Sequence, residues 1–373
     1  MSEKSELKTI PHKILAEASK AGIDINDPVS GTLLHIDRET IYSKVNEFFN
    51  GKIELLDTKV ALQKYAWLND YMWQIIDREK DEFTKKVATD FSGGYFIRIL
   101  KNAEVTLPLQ SCLMITERGL EQKVHNIIIA EEGSKANILS SCVQHSAAGS
   151  ASHLGISEFY IQKNATLNFT MVHNWTEETK VRPRSTALID DGGTFISNYI
   201  CIRPVRDVQM YPVAYCNGEE SKVSFNSILY AQKKSSLDVG SKAILNGKNS
   251  RAEMITRSVS RENSMTIVRG LIEGNNAQCK GHLECKGLIL DDESYIQSIP
   301  EMIARKKGVE ITHEAAIGKI SEKEILYLMS RKLTNDQAVS MIIRGFMDVG
   351  IMALSKSLTE EVNNMINLVA NAS

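Results

Sequence analysis

The sequence predicts a mainly β protein whose core is a parallel β-helix, flanked by α-helical regions at both ends. From about residue 93, short runs rich in β-branched and aromatic residues alternate with pairs of turn-forming residues. The turns recur at intervals of about 28–31 residues and later at about 13–16, so the shorter interval is half of the longer one. No helical pattern separates these strands, and the chain has only 7 prolines. Strands at a fixed period with short turns are typical of a β-helix.

Regular strand spacing also occurs in β-sandwiches, so that fold remains the alternative on spacing alone. The longer interval separates polar turns that each precede a strand-like run, at residues 132–136, 163–166, 191–194 and 219–222. If two of the shorter units make one coil, residues separated by one longer interval lie on neighbouring coils. Adjacent parallel strands are about 4.8 Å apart. The period therefore decides which distant side chains meet.

We predict an N-terminal region of helix and loop over residues 1–90. Within it, residues 57–88 carry apolar side chains at the three- and four-residue spacing of an amphipathic helix. Strand-like runs begin with Tyr95, so we place the β-helix core at residues 91–320.

Residues 321–373 form the third predicted region, a C-terminal helical domain. Ser321 and Thr334 each precede a Glu or Gln by three residues, which is the pattern of a capping box at a helix start. A third box at Ser357 predicts a terminal helix. Because the end of a solenoid must be protected from edge pairing, these helices are either a cap or a docking surface.

Composition excludes several classes of protein. The 44 basic and 46 acidic residues nearly cancel, so no strong field favours nucleic acid or an anionic membrane. No apolar run approaches the roughly 20 residues needed to span a bilayer. The first residues are polar and charged, without the apolar core of a signal peptide. We therefore expect a cytoplasmic protein with neither nucleic-acid nor membrane partners.

The 6 cysteines are scattered along the chain, which favours free thiols over a disulfide framework. No Cys-x-x-Cys pair is present, so we expect neither a zinc knuckle nor an all-cysteine cluster site. Cys279, His282 and Cys285 resemble a ligand set. However, residues three apart on a straight strand point to opposite faces, so His282 and Cys285 should diverge.

The strongest candidate site joins Cys285 to the pair His313-Glu314. Cys285 precedes His313 by one of the longer intervals, so we expect the two to stack on neighbouring coils. The same interval relates three further residues, His145, His173 and Cys201. These either form a second ladder or share the interval by chance.

A series of short motifs extends from about residue 70 to residue 350. They include Ser92-Gly93-Gly94-Tyr95-Phe96, Leu107-Pro108-Leu109-Gln110, Ile127-Ile128-Ile129-Ala130, Asn174-Trp175, Gly247-Lys248-Asn249, Arg269-Gly270-Leu271, His313-Glu314-Ala315 and Ile343-Arg344-Gly345-Phe346. In this order and spacing they resemble the SufB/SufD family of iron–sulfur cluster assembly proteins. The resemblance is closer to SufB, because SufB-type members have a cysteine on a late strand and a His-Glu pair downstream.

The resemblance implies a right-handed parallel β-helix that dimerises and carries an ABC-type ATPase, SufC, on its C-terminal helices. It implies a scaffold on which Cys285, His313 and Glu314 hold a transient iron–sulfur cluster. The dimer partner would be a second SufB-like protomer or a SufD-like paralogue, and a sulfur donor and apo-protein acceptors would also bind. Because His313 and Glu314 point to opposite faces of a strand, we expect the site at a dimer interface.

The resemblance also implies an internal sulfur path and an ATPase docking surface. The expected members of the path are Cys142 or Ser141, His173, Trp175 and Arg184. A basic residue expected shortly after Trp175 is replaced by Ser185, with Arg184 beside it. The side chains expected to contact the ATPase are Tyr327, Met329, Arg331 and Phe346.

Two other functions remain open. A SufD-type partner would organise the complex without building a cluster, although such members generally lack the cysteine and the glutamate found here. A β-helix enzyme would use Cys285 as nucleophile, His313 as base and Glu314 to orient the base. The chain has no G-x-x-x-x-G-K-[ST] loop, so we expect no nucleotide site in it and any ATP hydrolysis to come from another polypeptide.

Overall fold

The computed structural model describes residues 12–23 and 29–347 of the 373-residue chain. In these residues two long sheets face each other and form a β-helix of about 8 turns, with a few helices at the ends. The predicted mainly β, parallel β-helix is confirmed. The β-sandwich alternative is wrong, because the coils pair through parallel strands that are not consecutive in the chain.

The secondary-structure elements are numbered in chain order. The strands are β1 (Gly31–Ile36), β2 (Glu39–Val45), β3 (Ile53–Asp57), β4 (Tyr95–Ile99), β5 (Leu109–Ile115), β6 (Glu121–Ala130), β7 (Lys135–Gln144), β8 (Ser152–Ile161), β9 (Thr166–Asn174), β10 (Lys180–Val181), β11 (Arg184–Ile189), β12 (Thr194–Cys201), β13 (Asp207–Met210), β14 (Val213–Cys216), β15 (Lys222–Ala231), β16 (Ser236–Leu245), β17 (Arg251–Ser260), β18 (Met265–Gly274), β19 (Lys280–Ile289), β20 (Tyr295–Ala304) and β21 (Glu310–Gly318). The α-helices are α1 (His12–Lys20), α2 (Thr58–Lys64), α3 (Glu82–Thr89), α4 (Glu322–Ser330) and α5 (Asn335–Met347). Short 3-10 turns cover Glu47–Phe49, Ala66–Asp70 and Ser146–Ala148.

Each coil contributes to two sheets. Sheet A has the order β2-β1-β5-β7-β9-β12-β15-β17-β19-β21. Sheet B contains β3, β4, β6, β8, β10, β11, β13, β14, β16, β18 and β20. Neighbouring coils pair in parallel, whereas β2 and β3 are antiparallel to the strands beside them.

Side-chain alternation creates the core between the sheets. Strand β16 shows it most clearly, because every second residue is buried. Its inward residues, such as Leu237 and Leu245, belong to one hydrophobic cluster that runs along the interior. Strand β5 is buried on both faces because further elements cover its outer side.

Helices cover parts of both outer surfaces. On sheet A, Ala18 of α1 and Ile343 and Met347 of α5 pack in a cluster that includes Val143 and Val259. On sheet B, α2 and the turn after it pack on outward residues of β4 and β6. None of the helices in the described residues is long and apolar enough to cross a membrane.

The first 90 residues contain three strands that the sequence prediction of helix and loop missed. Strand β1 pairs in parallel with β5, and β2 and β3 close the beginning of sheets A and B. The helix predicted over residues 57–88 is interrupted: α2 ends where Tyr65 turns extended, and α3 begins after Asp81, which caps it.

The other end of the β-helix is left open by the described residues. Strands β20 and β21 pair only on their inner side there, and β21 is mostly exposed. Helix α5 lies against the outer face of sheet A instead. Thr334 and Gln337 form the predicted reciprocal capping bonds, while Ser321 takes the N-cap position without a side-chain bond. The helix predicted from Ser357 lies outside the described residues.

The turns between coils stack closely, which makes Gly247 sensitive to substitution. An added Cβ at Gly247 would overlap the carbonyl oxygen of Gly218, on the preceding coil. We therefore expect Gly247→Ala to lower the free energy of unfolding by about 3 kcal/mol, through overpacking against backbone. Thermal and urea unfolding followed by circular dichroism measure this.

Gly345→Ala is the matched control, because a Cβ at Gly345 meets nothing within 4 Å. This variant should be as stable as the wild type or slightly more stable, since alanine favours helix. Equal stability of the two variants would contradict the stacked-turn explanation.

Candidate functional site

Cys285 lies on the inner face of β19, one coil before the open end. Its side chain belongs to the interior cluster and is 5% exposed. Burial raises the pKa of the Cys285 thiol, and the nearby Ser298 hydroxyl offsets part of this effect. Cys285 therefore carries its proton at neutral pH in the isolated chain.

His313 does not stack directly on Cys285, which corrects the expectation from the assumed interval. The residue beside Cys285 on β21 is Ala315, and His313 lies beside Leu283. The turns of this coil make it two residues longer than assumed. The two side chains still share one face, about 8 Å apart by strand spacing and rise.

The polar edge of His313 is buried without a partner. Among the described residues no group forms a hydrogen bond with its Nε2 atom. An unpaired buried nitrogen is uncommon and calls for a missing ligand or partner. His313 therefore has a free position for an additional contact at the open end.

Glu314 lies on the outer face of β21 and is exposed. It is beside Glu284 in the ladder. Burial favours a higher pKa for Glu284, but hydrogen bonds from Lys286 and Arg257 lower it overall. His313 and Glu314 thus point to opposite faces, as expected from strand alternation.

The three candidate ligands do not converge within one chain. In the part of the chain that the structure describes, no three His, Cys, Asp or Glu side chains are placed to hold a metal ion. The Cys279–His282–Cys285 trio also diverges: His282 bonds Thr312 by Nδ1 at 2.8 Å, while Cys279 is buried beside Ser250.

A second line of polar side chains runs inside the β-helix. Cys142, His173 and Cys201 occupy successive positions of the sheet A ladder. Of the two alternatives left open by the sequence, chance spacing or a ladder, the ladder exists for His173 and Cys201. It is wrong for His145, which lies beyond β7 and caps a short turn. Cys142, not His145, lies beside His173 in the ladder, and its side chain faces inward. The Ser141 side chain points to the outer face and donates a hydrogen bond to the carbonyl oxygen of Ala21.

Aromatic rings accompany this line. The Trp175 ring lies 5.1 Å from the ring of His153 and 5.5 Å from that of His173. His173 Nδ1 is 2.8 Å from the Tyr199 hydroxyl. Trp175 Nε1 is buried and has no hydrogen-bond partner among the described residues.

Three of these side chains, those of His153, His173 and Tyr199, border an interior cavity of about 60 Å³. Its lining includes His153, Met171, His173, Ser185 and Tyr199. Such a volume has room for a few water-sized molecules.

Arg184 lies on the other side of the wall from this cavity, so its predicted place on an internal path is wrong. Its Nε atom is 2.6 Å from an Asp81 carboxylate oxygen, and its guanidinium is 5.0 Å from the Phe83 ring. Because neighbours on a strand alternate, Ser185 takes the inward position.

His153 and Gln122 belong to the same interior line but were not predicted from the sequence. His153 Nε2 lies 3.9 Å from Cys142 Sγ, and its Nδ1 lies 2.9 Å from Gln122 Oε1. Gln122 and His153 are direct neighbours in the ladder, one coil apart. Their separation by one coil length is the signal in the sequence that could have predicted their contact.

Burial keeps the interior line uncharged at neutral pH. It lowers the pKa of His153 to about 3, and it lowers the pKa of His173 well below the usual range. It raises the pKa of Cys142 well above its ordinary value and that of Cys201 to about 12. This line is therefore polar but carries no net charge.

The predicted docking residues differ in exposure. Tyr327 and Met329 on α4 are 58% and 40% exposed. Arg331 donates to the Tyr327 hydroxyl at 2.9 Å. Phe346 is half-buried on the outer face of sheet A, where Arg257 lies 5.9 Å from its ring. Phe346 thus helps to attach α5, whereas the described residues bury no side chain of α4.

The known proteins that are similar to this chain share one family description. Residues 113–346 match the family model described as "SUF system FeS cluster assembly, SufBD core domain". An iron-sulfur cluster assembly SufBD family protein of Archaeoglobus fulgidus is 46% identical over 339 residues, covering 91% of this chain and 90% of that protein. A homologue of the same description in Methanothermobacter thermautotrophicus is 43% identical over 366 residues, covering 97% and 88%. One from Staphylococcus saprophyticus is 26% identical over 369 residues, covering 96% and 78%.

The buried imidazoles should make the fold sensitive to acid. The folded pKa of His153 is below its ordinary value of 6.5, so stability is lost as the pH falls from that value toward about 3. At about pH 5 the cost for His153 is about 2 kcal/mol. In His153→Leu, the difference in unfolding free energy between about pH 7.5 and about pH 5 should shrink by this amount.

Phe159→Leu serves as the control, because it changes another buried side chain that does not titrate. It should lower stability equally at both pH values. Urea unfolding of His153→Leu measures the pH dependence of its unfolding free energy. If this dependence is as large as in the wild type, the lowered pKa of His153 is not its cause.

Proposed function

The chain belongs to the SufBD family of iron–sulfur cluster assembly proteins, and on this premise we propose that it is the scaffold subunit of a SUF-type complex. A nascent cluster is built where the open ends of two β-helices meet. The observation that carries the proposal is the placement of Cys285 and His313 on one inner face of the last two coils.

The chemistry of these side chains suits transient binding. A thiolate is a soft ligand for iron, and imidazole and carboxylate are harder ligands that release a cluster more readily. Deprotonation of Cys285 must accompany iron binding, because the buried thiol is neutral. His313 Nε2 has a lone pair or a hydrogen to offer and no partner in the described chain.

Dimerisation supports this arrangement. Strands β20 and β21 have unpaired outer edges among the described residues, and an exposed edge is a template for pairing with another chain. Large apolar side chains are exposed on the same two strands, at Tyr295, Met302 and Ile317. The partner is a second copy or a SufD-like paralogue, and it completes the ligand set that one chain lacks.

Sulfur reaches the site through the β-helix interior. Cys142, His173 and Trp175 mark the start of this route, and His173 lines the interior cavity. Strand β12, which carries Cys201, is three strand spacings from β19, about 14 Å. A sulfur donor outside the chain feeds this route, and apo-proteins receive the finished cluster.

Helix α4 docks a SufC-type ABC ATPase. No side chain of α4 is buried by the part of the chain that the structure describes, and Tyr327 and Met329 are exposed apolar anchors of the kind that helical interfaces use. Movement of α4 and α5 on ATP binding is transmitted to sheet A, because α5 packs on β17 and neighbouring strands. Hydrolysis thereby opens and closes the dimer interface that holds the cluster.

A SufD-type structural role is the second candidate, and the lack of a three-ligand group within the described chain favours it. In that role Cys285 holds no cluster. The β-helix enzyme has less support, because a nucleophile and its base must be within hydrogen-bond reach and the ladder sets Cys285 and His313 two residues apart.

We expect Cys285→Ser to remove most of the cluster formed by anaerobic reconstitution with iron and sulfide, because a hydroxyl is a poor ligand for iron. Absorption in the visible range and iron and sulfide content measure this. Cys279→Ser is the control, since Cys279 is a buried thiol at the turn before the same strand. It should keep the cluster.

His313→Ala should give a cluster that forms but is lost faster. Wild-type cluster content in Cys285→Ser, with the fold intact by circular dichroism, would favour the SufD-type role instead. Loss of the cluster in Cys279→Ser as well would show that the effect is not specific to Cys285.

For docking, we expect Tyr327→Glu to abolish co-purification of the ATPase, because it places a charge in an apolar contact. Phe48→Glu is the control at the opposite end of the chain, where Phe48 is 75% exposed. It should leave co-purification unchanged. Retention of the ATPase by Tyr327→Glu would exclude this part of α4 from the interface.

A further inference from the structure

Two polar side chains face each other inside the β-helix, away from Cys285. Cys142 on β7 and His153 on β8 have 3.9 Å between Sγ and Nε2. Cys142 is 0% and His153 is 3% exposed. The thiol also contacts Met171 Sδ at 3.6 Å, but a thioether is a much weaker acceptor than an imidazole nitrogen. The separation is at the outer limit of a hydrogen bond to sulfur, and contacts between a nucleophile and its base are often this loose before the reactant binds.

Gln122 determines which nitrogen of His153 accepts. Its Nε2 atom donates to the carbonyl oxygens of Asp37 and Met114, each at 3.1 Å. A reversed amide would set its oxygen against these two oxygens, so Oε1 faces His153 Nδ1 at 2.9 Å. An amide oxygen can only accept, so Nδ1 carries the hydrogen. His153 Nε2 then presents its lone pair to Cys142.

The position of the imidazole ring is restricted on several sides. A Cβ at position 155 would lie 2.8 Å from His153 Nε2, so Gly155 leaves the room that the ring needs. The ring of Trp175 lies 5.1 Å away on another side. A base held in one orientation needs little rearrangement before it reacts.

Burial also sets suitable protonation states. The lowered pKa of His153 keeps its imidazole neutral at pH 7, with the lone pair available. The raised pKa of Cys142 means that its thiol does not ionise unaided. A thiolate forms here only as its proton passes to a neighbouring base.

With Cys142 taken as the start of the sulfur route, we propose that His153 is the catalytic base for sulfur uptake at Cys142 and that Gln122 positions His153. The site rests on the proposed function, since a cluster scaffold needs a supply of sulfur. It takes a small sulfane-sulfur species, because the thiol is fully buried and its two contacts, His153 and Met171, line a cavity of about 60 Å³.

The reaction is written for the anion HSS⁻. Cys142 passes its proton to His153 Nε2 while its sulfur attacks the protonated sulfur of HSS⁻. The S–S bond of the reactant breaks, and its electron pair leaves on the other sulfur, which takes the proton from His153. The products are the Cys142 persulfide and HS⁻. Atoms and electrons balance without a further oxidant.

The test uses the purified full chain, free of iron, with inorganic polysulfide as the reactant. Persulfide at Cys142 is trapped by alkylation after unfolding and measured by peptide mass spectrometry. Cys112 is the internal control, because it is 1% exposed on the neighbouring strand and burial raises its pKa to about 12. Opening of the fold exposes both thiols, whereas the proposed site activates only Cys142.

His153→Ala should slow persulfide formation at Cys142 about 100-fold, with Cys112 unchanged. Added imidazole should restore most of the rate. Pyrazole has nearly the same shape but is a far weaker base, so it should not. Equal rescue by both compounds would show that the ring only fills space, which would overturn the role of His153 as base.

Gln122→Met keeps the length of the side chain but removes its oxygen, and it should slow the reaction about tenfold. Nitrogen-15 spectra of labelled histidine report the tautomer directly. The wild type should show hydrogen on Nδ1 of His153, and the variant should show a mixture. An unchanged tautomer and rate in the variant would overturn the positioning role of Gln122.

Cluster reconstitution from iron and inorganic sulfide separates this inference from the scaffold function, because it bypasses Cys142. If His153→Ala builds the cluster and also takes up polysulfide sulfur at the wild-type rate, the uptake site is overturned and the scaffold stands. If Cys142 takes sulfur only from a protein persulfide and none from polysulfide, the inference that the reactant is a small molecule is overturned.

Discussion

The parallel register between coils is the constraint on which the rest of the structure depends. Once a turn has a given length, every side chain of the next strand has a fixed neighbour about 4.8 Å away and a fixed side of the wall. This register lines up Cys142, His173 and Cys201 inside, and it sends Arg184 outside to Asp81. A shift of one residue would exchange the two sets.

The interior combines tight packing with a line of uncharged polar groups. Each such group costs about 1–3 kcal/mol if it is buried without a partner, so pairing within the line matters. His173 meets Tyr199, and His153 meets Gln122. Two of the unpaired atoms, His313 Nε2 and Trp175 Nε1, lie beside the proposed cluster site and the proposed sulfur route. At each of these two points, a buried polar atom without a hydrogen-bond partner lies where a transient cluster or sulfur species would bind.

The sequence predicted the architecture because strand periodicity and turn residues are local signals. It offered the stacking of His173 on Cys201 as one of two alternatives, and the stacking occurs because that coil has the assumed length. It failed where the coil is longer, as between Cys285 and Ala315, because turn length depends on backbone conformations such as the positive φ of Gly308 in the turn before β21. It also missed β1–β3, whose short runs acquire strand character only through pairing with the core.

The two ends of the β-helix differ in a way that limits how far the molecules could assemble. At the first end, antiparallel β2 and β3 interrupt the parallel stacking, and β2 presents alternating exposed residues such as Glu39 and Ile41. The last coil carries no such terminator in the described residues. A solenoid with two bare ends would grow into a filament by head-to-tail addition. One bare end allows a single self-complementary contact, after which growth stops.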